Sequence, residues 1–286
     1  MEIIRIYKTS GVLVIAYQEQ YYSINANWND FVNRKGLFNQ VVADLKGLSP
    51  MEKKTAEALL ANQLVAPIGT QEVWAAGVTY YRSRTARMEE SEISGGATFY
   101  DKVYVAERPE LFFKATPHRV SGHGQTVYIR EDSSWDVPEP ELTLFISSEG
   151  TIEGYTVGND MSSRSIEGEN PLYLPQAKVY EKCAGLGPCL MVTDTPIPPD
   201  TMINMSIFRN NEIQYNDSVP ISQMKRGHQE LVGFLYRGCA FPEGCFLMTG
   251  TCLVPDNSFT LQDNDRVEIS IDHIGKLTNH VQTYRS

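Results

Sequence analysis

The segment Pro138-Glu139-Pro140-Glu141-Leu142, followed by Gly158-Asn159-Asp160, constrains this chain more than any other stretch. Side chains on a strand alternate between faces, so Glu139 and Glu141 point the same way. Leu142 to Ile146 reads as a strand, Ser147-Ser148-Glu149-Gly150 as a turn, and Ile152 to Val157 as the returning strand. Folding about a midpoint between Glu149 and Gly150 sets position 139 opposite position 160. Two carboxylates on one strand face then meet a third at the end of the partner strand. Three oxygen donors converging without His or Cys suit Mg²⁺, Mn²⁺ or Ca²⁺, not zinc. A lone Glu-x-Glu reads as an acidic, solvated strand end; the prolines and the registered Asp160 are what favour a built site here.

With 286 residues the chain can bury a large core in one domain or two. A content of 42% hydrophobic and 21% charged residues is too apolar for disorder and too polar for a membrane protein. The longest apolar run, Gly11 to Tyr17, is far short of the roughly 20 residues of a spanning helix. The opening Met-Glu-Ile-Ile-Arg-Ile-Tyr lacks the basic-then-apolar pattern of a secretion signal, which makes the cytoplasm the expected compartment. A formal charge of −10 argues against nucleic acid, whose binding needs a cationic footprint. It does not exclude an anionic substrate, because a bound divalent ion inverts the local field. Cys183, Cys189, Cys239, Cys245 and Cys252 form no CxxC pair and read as reduced and mostly buried. His118 and His123 lie in a Gly-containing segment and read as loop residues.

The fold class expected is α+β, mainly β, with a small N-terminal α/β unit over residues 1–66 and a catalytic domain over 67–286. Alternation in Ile3 to Tyr7 and Val12 to Tyr17 predicts strands, with Tyr21 to Ile24 a third. Asp30 to Phe38 reads as a helix, as does Pro50 to Gln63 with Ser49 as its N-cap. Further on, Thr126 to Arg130, Cys189 to Val192, Met202 to Arg209 and Arg266 to Ile271 are strand-like runs between Gly, Pro, Asn and Asp. Ser83 to Ser91 is a polar helical stretch before Gly95-Gly96, readable as a lid or as a surface helix.

Several charged residues are candidates beside the carboxylates. If Met161 to Glu167 is a helical turn, Asp160, Arg164 and Glu167 share a face, and Arg164 either braces a metal carboxylate, binds a substrate carboxylate or forms a simple ion pair. Lys178, read as lying on an apolar strand, has a lowered pKa if it sits beside a divalent cation and is then a usable base; otherwise it is a surface lysine. Glu110 and Lys114 bracket Leu111-Phe112-Phe113 at the rim of something buried, as a structural pair or as site residues. Gly185-Leu186-Gly187-Pro188 resembles half a dinucleotide fingerprint, but the proline reads as a turn.

Taken together, Pro-Glu-Pro-Glu-Leu, Gly154 to Arg164, Lys178 with its later Gly-Pro, Thr249-Gly250-Thr251 and Ile274 to Asn279 resemble the fumarylacetoacetate hydrolase family, from roughly Val73 to Val281. Glu107 to Lys114 and Glu169 to Gln176 resemble its 2-keto-3-deoxy-sugar-acid dehydratases in particular. The resemblance implies a mixed β-roll that binds one divalent ion through Glu139, Glu141 and Asp160. It implies that Lys178 and Arg164 face a small 2-keto sugar acid, that Thr251 meets its carboxylate, and that Ser83 and Glu167 lie among the substrate-binding positions. It also implies a homodimer or homotetramer. Hydrolases of the family carry a water-activating His and Glu on the lid, where this chain has Ser83 and Ala86, and many have Gln where Glu167 stands. Elimination therefore fits better than C–C hydrolysis: Mg²⁺-dependent dehydration of a 2-keto-3-deoxy-pentonate to 2,5-dioxopentanoate through a metal-stabilised enolate. Lys178 is then the base, with Glu110, or a lid carboxylate such as Glu89, the acid. The alternatives are a hydrolase or decarboxylase of acylpyruvates or related diketo acids, and a non-catalytic 2-keto-acid-binding protein.

Overall fold

A computed structural model of the chain describes residues 1–80 and 102–285; Ser83, Glu89 and the rest of the expected lid lie outside the described residues. Two sheets carry the fold. The larger runs in the order β3 (Gln20–Ile24), β2 (Leu13–Tyr17), β1 (Ile3–Lys8), β10 (Ala184–Thr193), β9 (Ile152–Ser163), β8 (Asp136–Ile146), β13 (Cys245–Met248), β4 (Glu72–Gly77), β5 (Glu110–Ala115), with β6 (Val120–Ser121) parallel to β10. The smaller runs β12 (Glu212–Pro220), β11 (Met202–Arg209), β14 (Arg266–Ile271), β15 (Gly275–Tyr284), β7 (Thr126–Arg130). The architecture is mainly β with mixed pairing, as the strand density predicts. Alternation places Ile203, Met205 and Ile207 of β11 and Val267, Ile269 and Ile271 of β14 in one core with Leu186 and Leu190 of β10.

Every residue of β8 is buried, because the strand is central and covered on both faces. Prolines are normally confined to sheet edges, since they cannot donate to the ladder. The backbone of Leu142 accepts from the Thr249 N–H at 3.1 Å, so even-numbered β8 residues direct their backbone groups toward the β13 side. Strand β13 stops at Met248, opposite Thr143, and Pro138 and Pro140 lie beyond that end. Their missing N–H groups therefore cost no strand bond, and the end of β13 leaves the two glutamates beside a gap.

The register puts Glu139 opposite Asp160, as expected, but by a different route. The turn closes with Ser147 N–H to Thr151 O at 2.9 Å, and Ile146 pairs with Ile152. The next pair is Phe145 with Gly154, so Glu153 is an extra residue, a bulge in β9. Were Glu153 paired with Phe145 instead of bulged out, Glu139 would face Asn159, and Asp160 would turn to the opposite face.

The structure corrects the sequence reading in three places, two of them helices. Asp30 to Phe38 is split into α1 (Trp28–Val32), capped by Asn27, and α2 (Leu37–Leu45), because Gly36 takes a left-handed conformation with φ 69°. The next helix, α3, starts at Lys53 and not at Pro50, because the Met51 N–H is committed to Tyr21 O at 2.8 Å and holds the chain extended. Gly185 to Pro188 is no turn but lies within β10, with an irregular pairing to β9 after Gly187. The N-terminal strands join the large sheet directly, with Ile4 and Ile6 of β1 opposite Val192 and Leu190 of β10.

Candidate active site

Glu139 and Glu141 on β8 and Asp160 on β9 are 2%, 1% and 1% exposed, and each offers a carboxylate oxygen within 4.8 Å of the other two. Taking three carboxylates out of water is costly unless cations compensate. Three cations do. Arg164 donates from Nη2 to Glu139 Oε1 at 2.6 Å. The Lys178 Nζ reaches Glu139 Oε2 at 2.7 Å, Asp160 Oδ2 at 3.3 Å and Ser162 Oγ at 2.6 Å. The third cation, Lys114, lies 2.6 Å from Asp160 Oδ1. Among the described residues no cation lies at this range from Glu141, which accepts from the Gly250 N–H at 2.5 Å. Burial first, then the neighbouring Asp160 and Glu139 charges, hold its carboxyl well above the usual carboxylate range; Lys178 and the Gly250 N–H oppose them.

Local structure explains these placements and amends two expectations. Strand β9 continues through Ser163, so Asp160 and Arg164 do not share a helix. Helix α4 (Arg164–Glu169) begins only there, with the Ser163 hydroxyl accepting from the Ile166 N–H. Arg164 braces Glu139, while Glu167 is buried in the first turn of α4. Lys178 is not on a strand but is the last residue of the short helix α5 (Leu174–Lys178). Its side chain is fully buried, which the surface alternative excludes.

The carboxylates, Arg164 and Lys178 enclose a cavity of about 20 Å³, room for one ion or water-sized group, with Gly77, Val78 and Thr251 in its wall. Thr251 Oγ1 accepts from the Leu253 N–H at 3.2 Å. Glu110 on β5 is paired directly with Gly77. A Cβ at 77 would lie 2.0 Å from Glu110 Oε2, so the glycine leaves the Glu110 carboxyl its place. The Glu110 carboxyl thus packs against the cavity wall, at the border with a second, mostly apolar cavity of about 730 Å³ that reaches Leu111, Leu172 and Leu174. Lys114, read from the sequence with Glu110 as a structural pair or a site residue, lies in the site, and Ser162 and Gly250 are site residues that sequence reasoning missed. Their contacts come from distant chain segments and leave no local signal.

The donor set fits a hard divalent cation: three carboxylates, buried, with neither His nor Cys in the group. A fold of two mixed sheets with such a buried three-carboxylate centre defines a metal-dependent enzyme architecture. Residues 83–282 match the family described as fumarylacetoacetate (FAA) hydrolase C-terminal, and the chain belongs to the fumarylacetoacetate hydrolase family. It is 48% identical over 228 residues to a probable 2-keto-3-deoxyxylonate dehydratase of Haloferax volcanii, covering 79% of this chain and 78% of that protein. It is 42% identical over 225 residues to the 2-dehydro-3-deoxy-D-arabinonate dehydratase of Saccharolobus solfataricus, covering 78% and 76%. The whole fold superimposes on a 2-keto-3-deoxy-D-arabinonate dehydratase complexed with magnesium and 2,5-dioxopentanoate, with a TM-score of 0.83, 32% identity and full coverage of both chains.

Proposed function

We propose that this protein is a magnesium-dependent dehydratase that converts a 2-keto-3-deoxy-pentonate to 2,5-dioxopentanoate. The observation that carries this reading is the buried Glu139–Glu141–Asp160 group with Lys178 hydrogen-bonded to two of its members, in a fold shared with a dehydratase that holds magnesium and that product. The names of the two relatives point to one substrate. Xylonate and arabinonate of the same series differ at C2 and C3, the two centres that a 2-keto-3-deoxy acid has lost. Only C4 remains a stereocentre.

Held by the three carboxylates, Mg²⁺ supplies Lewis-acid polarisation of the 2-keto group and makes the C3 protons acidic. Lys178, as the neutral amine, takes one of them at Nζ and becomes the ammonium. Glu110 gives a proton to the C4 hydroxyl, which leaves as water as the C3–C4 double bond forms. Transfer of a proton from C5 to C3 then gives the C4–C5 enol, and movement of its hydroxyl proton to C4 yields the C5 aldehyde. Arg164 keeps Glu139 aimed, and Thr251 contacts the substrate carboxylate from the cavity wall. Helix α4 and helix α5 fix these groups on rigid elements.

The test is to incubate the protein with Mg²⁺ and 2-keto-3-deoxy-D-arabinonate and follow the product aldehyde by NMR, with EDTA as control. Product is expected, and its absence with both C4 epimers would overturn the reading. Glu141→Ala is expected to abolish both Mg²⁺ binding and turnover while the far-UV circular dichroism stays native. A homodimer or homotetramer is the expected assembly, to be read by sedimentation equilibrium.

A further inference from the structure

We infer that Lys114 is a positioning residue that holds a metal carboxylate and the general base in one fixed relation. This rests on the reading of Asp160 as a metal ligand and Lys178 as the base. Lys114 lies on β5, its side chain fully buried. An ammonium has three protons and no acceptor capacity. Here two carbonyls accept from it, Met161 O at 2.8 Å and Lys178 O at 2.6 Å, and Asp160 Oδ1 lies 2.6 Å away as an ion pair. Lys114 does not line the cavity that the carboxylates enclose, so it acts through its neighbours.

Those three oxygens belong to two elements that must agree. Asp160 and Met161 lie on β9, and Lys178 ends α5. Lys114 takes one Asp160 oxygen while Lys178 Nζ lies 3.3 Å from the other, so two ammoniums fix the plane of that carboxylate. The Lys178 carbonyl belongs to the last turn of a helix, where carbonyls lack intrahelical partners. Lys114 supplies that partner and so fixes the point from which the Lys178 side chain swings into the cavity. A purely neutralising cation beside Asp160 would not need the two carbonyl contacts.

The variants K114M and K114R of the full chain separate these roles. Magnesium affinity is read by titration calorimetry without substrate, and kcat and KM for 2-keto-3-deoxy-D-arabinonate are read at saturating Mg²⁺. In K114M, Mg²⁺ affinity is expected to fall about 10- to 100-fold, the range for losing a group that orients a metal ligand. Its kcat at saturating Mg²⁺ is expected about 100-fold down with KM nearly unchanged, as for a displaced catalytic group. K114R keeps the charge, but a planar guanidinium fork does not reproduce three convergent contacts. Its Mg²⁺ affinity should stay near that of the unmodified protein, with kcat reduced on the order of tenfold or more. Unreduced kcat at saturating Mg²⁺ in either variant would overturn the inference. If K114M does not fold, K114R alone decides; if neither folds, position 114 serves the fold and the inference is overturned. An unmodified protein that binds Mg²⁺ but does not turn over the keto acid defeats the dehydratase reading alone, while the calorimetry still tests the hold on Asp160.

Discussion

Two side chains around the site make separable predictions. Gly77 leaves room for the Glu110 carboxyl, so Gly77→Ala must push that carboxyl aside without changing its chemistry. If Glu110 is the acid, kcat should fall about tenfold or more while the melting temperature moves little, since the obstructed group is the end of a flexible side chain. Melting curves and kcat measured on the same sample check this. Asp136, at the start of β8, is 2% exposed, and burial pushes its carboxyl up to about 6 against weaker opposition from Ser133 and Arg130. An acid whose folded pKa lies above its unfolded value, about 3.9, stabilises the native state below that value and loses this as pH rises through about 6. The loss is of order 3 kcal/mol at neutral pH. Asp136→Asn should therefore flatten the fall in stability between about pH 4 and pH 7, which urea titrations across that range would measure.

At the scale of elements, the bulge at Glu153 sets the site. Deleting Glu153 removes only the unpaired residue, so Ile152 and Gly154 become neighbours and the pairs from Phe145–Gly154 to Glu139–Asp160 stay in place. The deletion variant should keep the thermal stabilisation that Mg²⁺ confers on the parent, and a lost shift would show that the hairpin had slipped out of register. Glu153 also accepts from the Leu37 N–H at 2.8 Å, so some loss of stability at the start of α2 is expected as well. The strands β11 and β14 were legible in the sequence to the residue, because alternation is uninterrupted there. The facing of Glu139 and Asp160 was legible too, although the bulge that produces it was not, since Glu153 is neither Gly nor Pro. The helical reading of Asp160 to Glu167 failed because Ser162 and Ser163 continue the β9 pairing with Val137 and Asp136. Pairing between distant segments overrode local spacing. The burial of Lys114 and Lys178 is equally non-local, and no pattern in either segment distinguishes them from surface lysines.

Across the whole molecule, the boundary near residue 66 lies between α3 and β4, yet the large sheet runs through it. Residues 67–286 alone would lack β1 and leave the β10 segment Leu190–Thr193 as a bare apolar edge. That truncated chain is expected to aggregate or to melt at least several degrees lower, as light scattering and a thermal scan would show. A well-behaved fragment of native stability would instead support two independent domains. Among the described residues no helix is long and apolar enough to cross a membrane.

The pairing of three buried carboxylates with Lys114, Lys178 and Arg164 has a consequence in charge balance. With all six groups ionised the centre sums to zero; once a divalent ion is bound and Lys178 is neutral, as a base must be, it stands at plus one, and it rises to plus two when Lys178 takes the C3 proton. A 2-keto acid arrives with one negative charge and acquires a second as its C3 proton leaves. The centre therefore gains a positive charge as the substrate gains a negative one, so the attraction between them grows toward the transition state, which is the condition for accelerating the step rather than merely binding. It does so inside a chain of net charge −10, so the pull on an anion comes from the local centre and not from the charge of the chain as a whole.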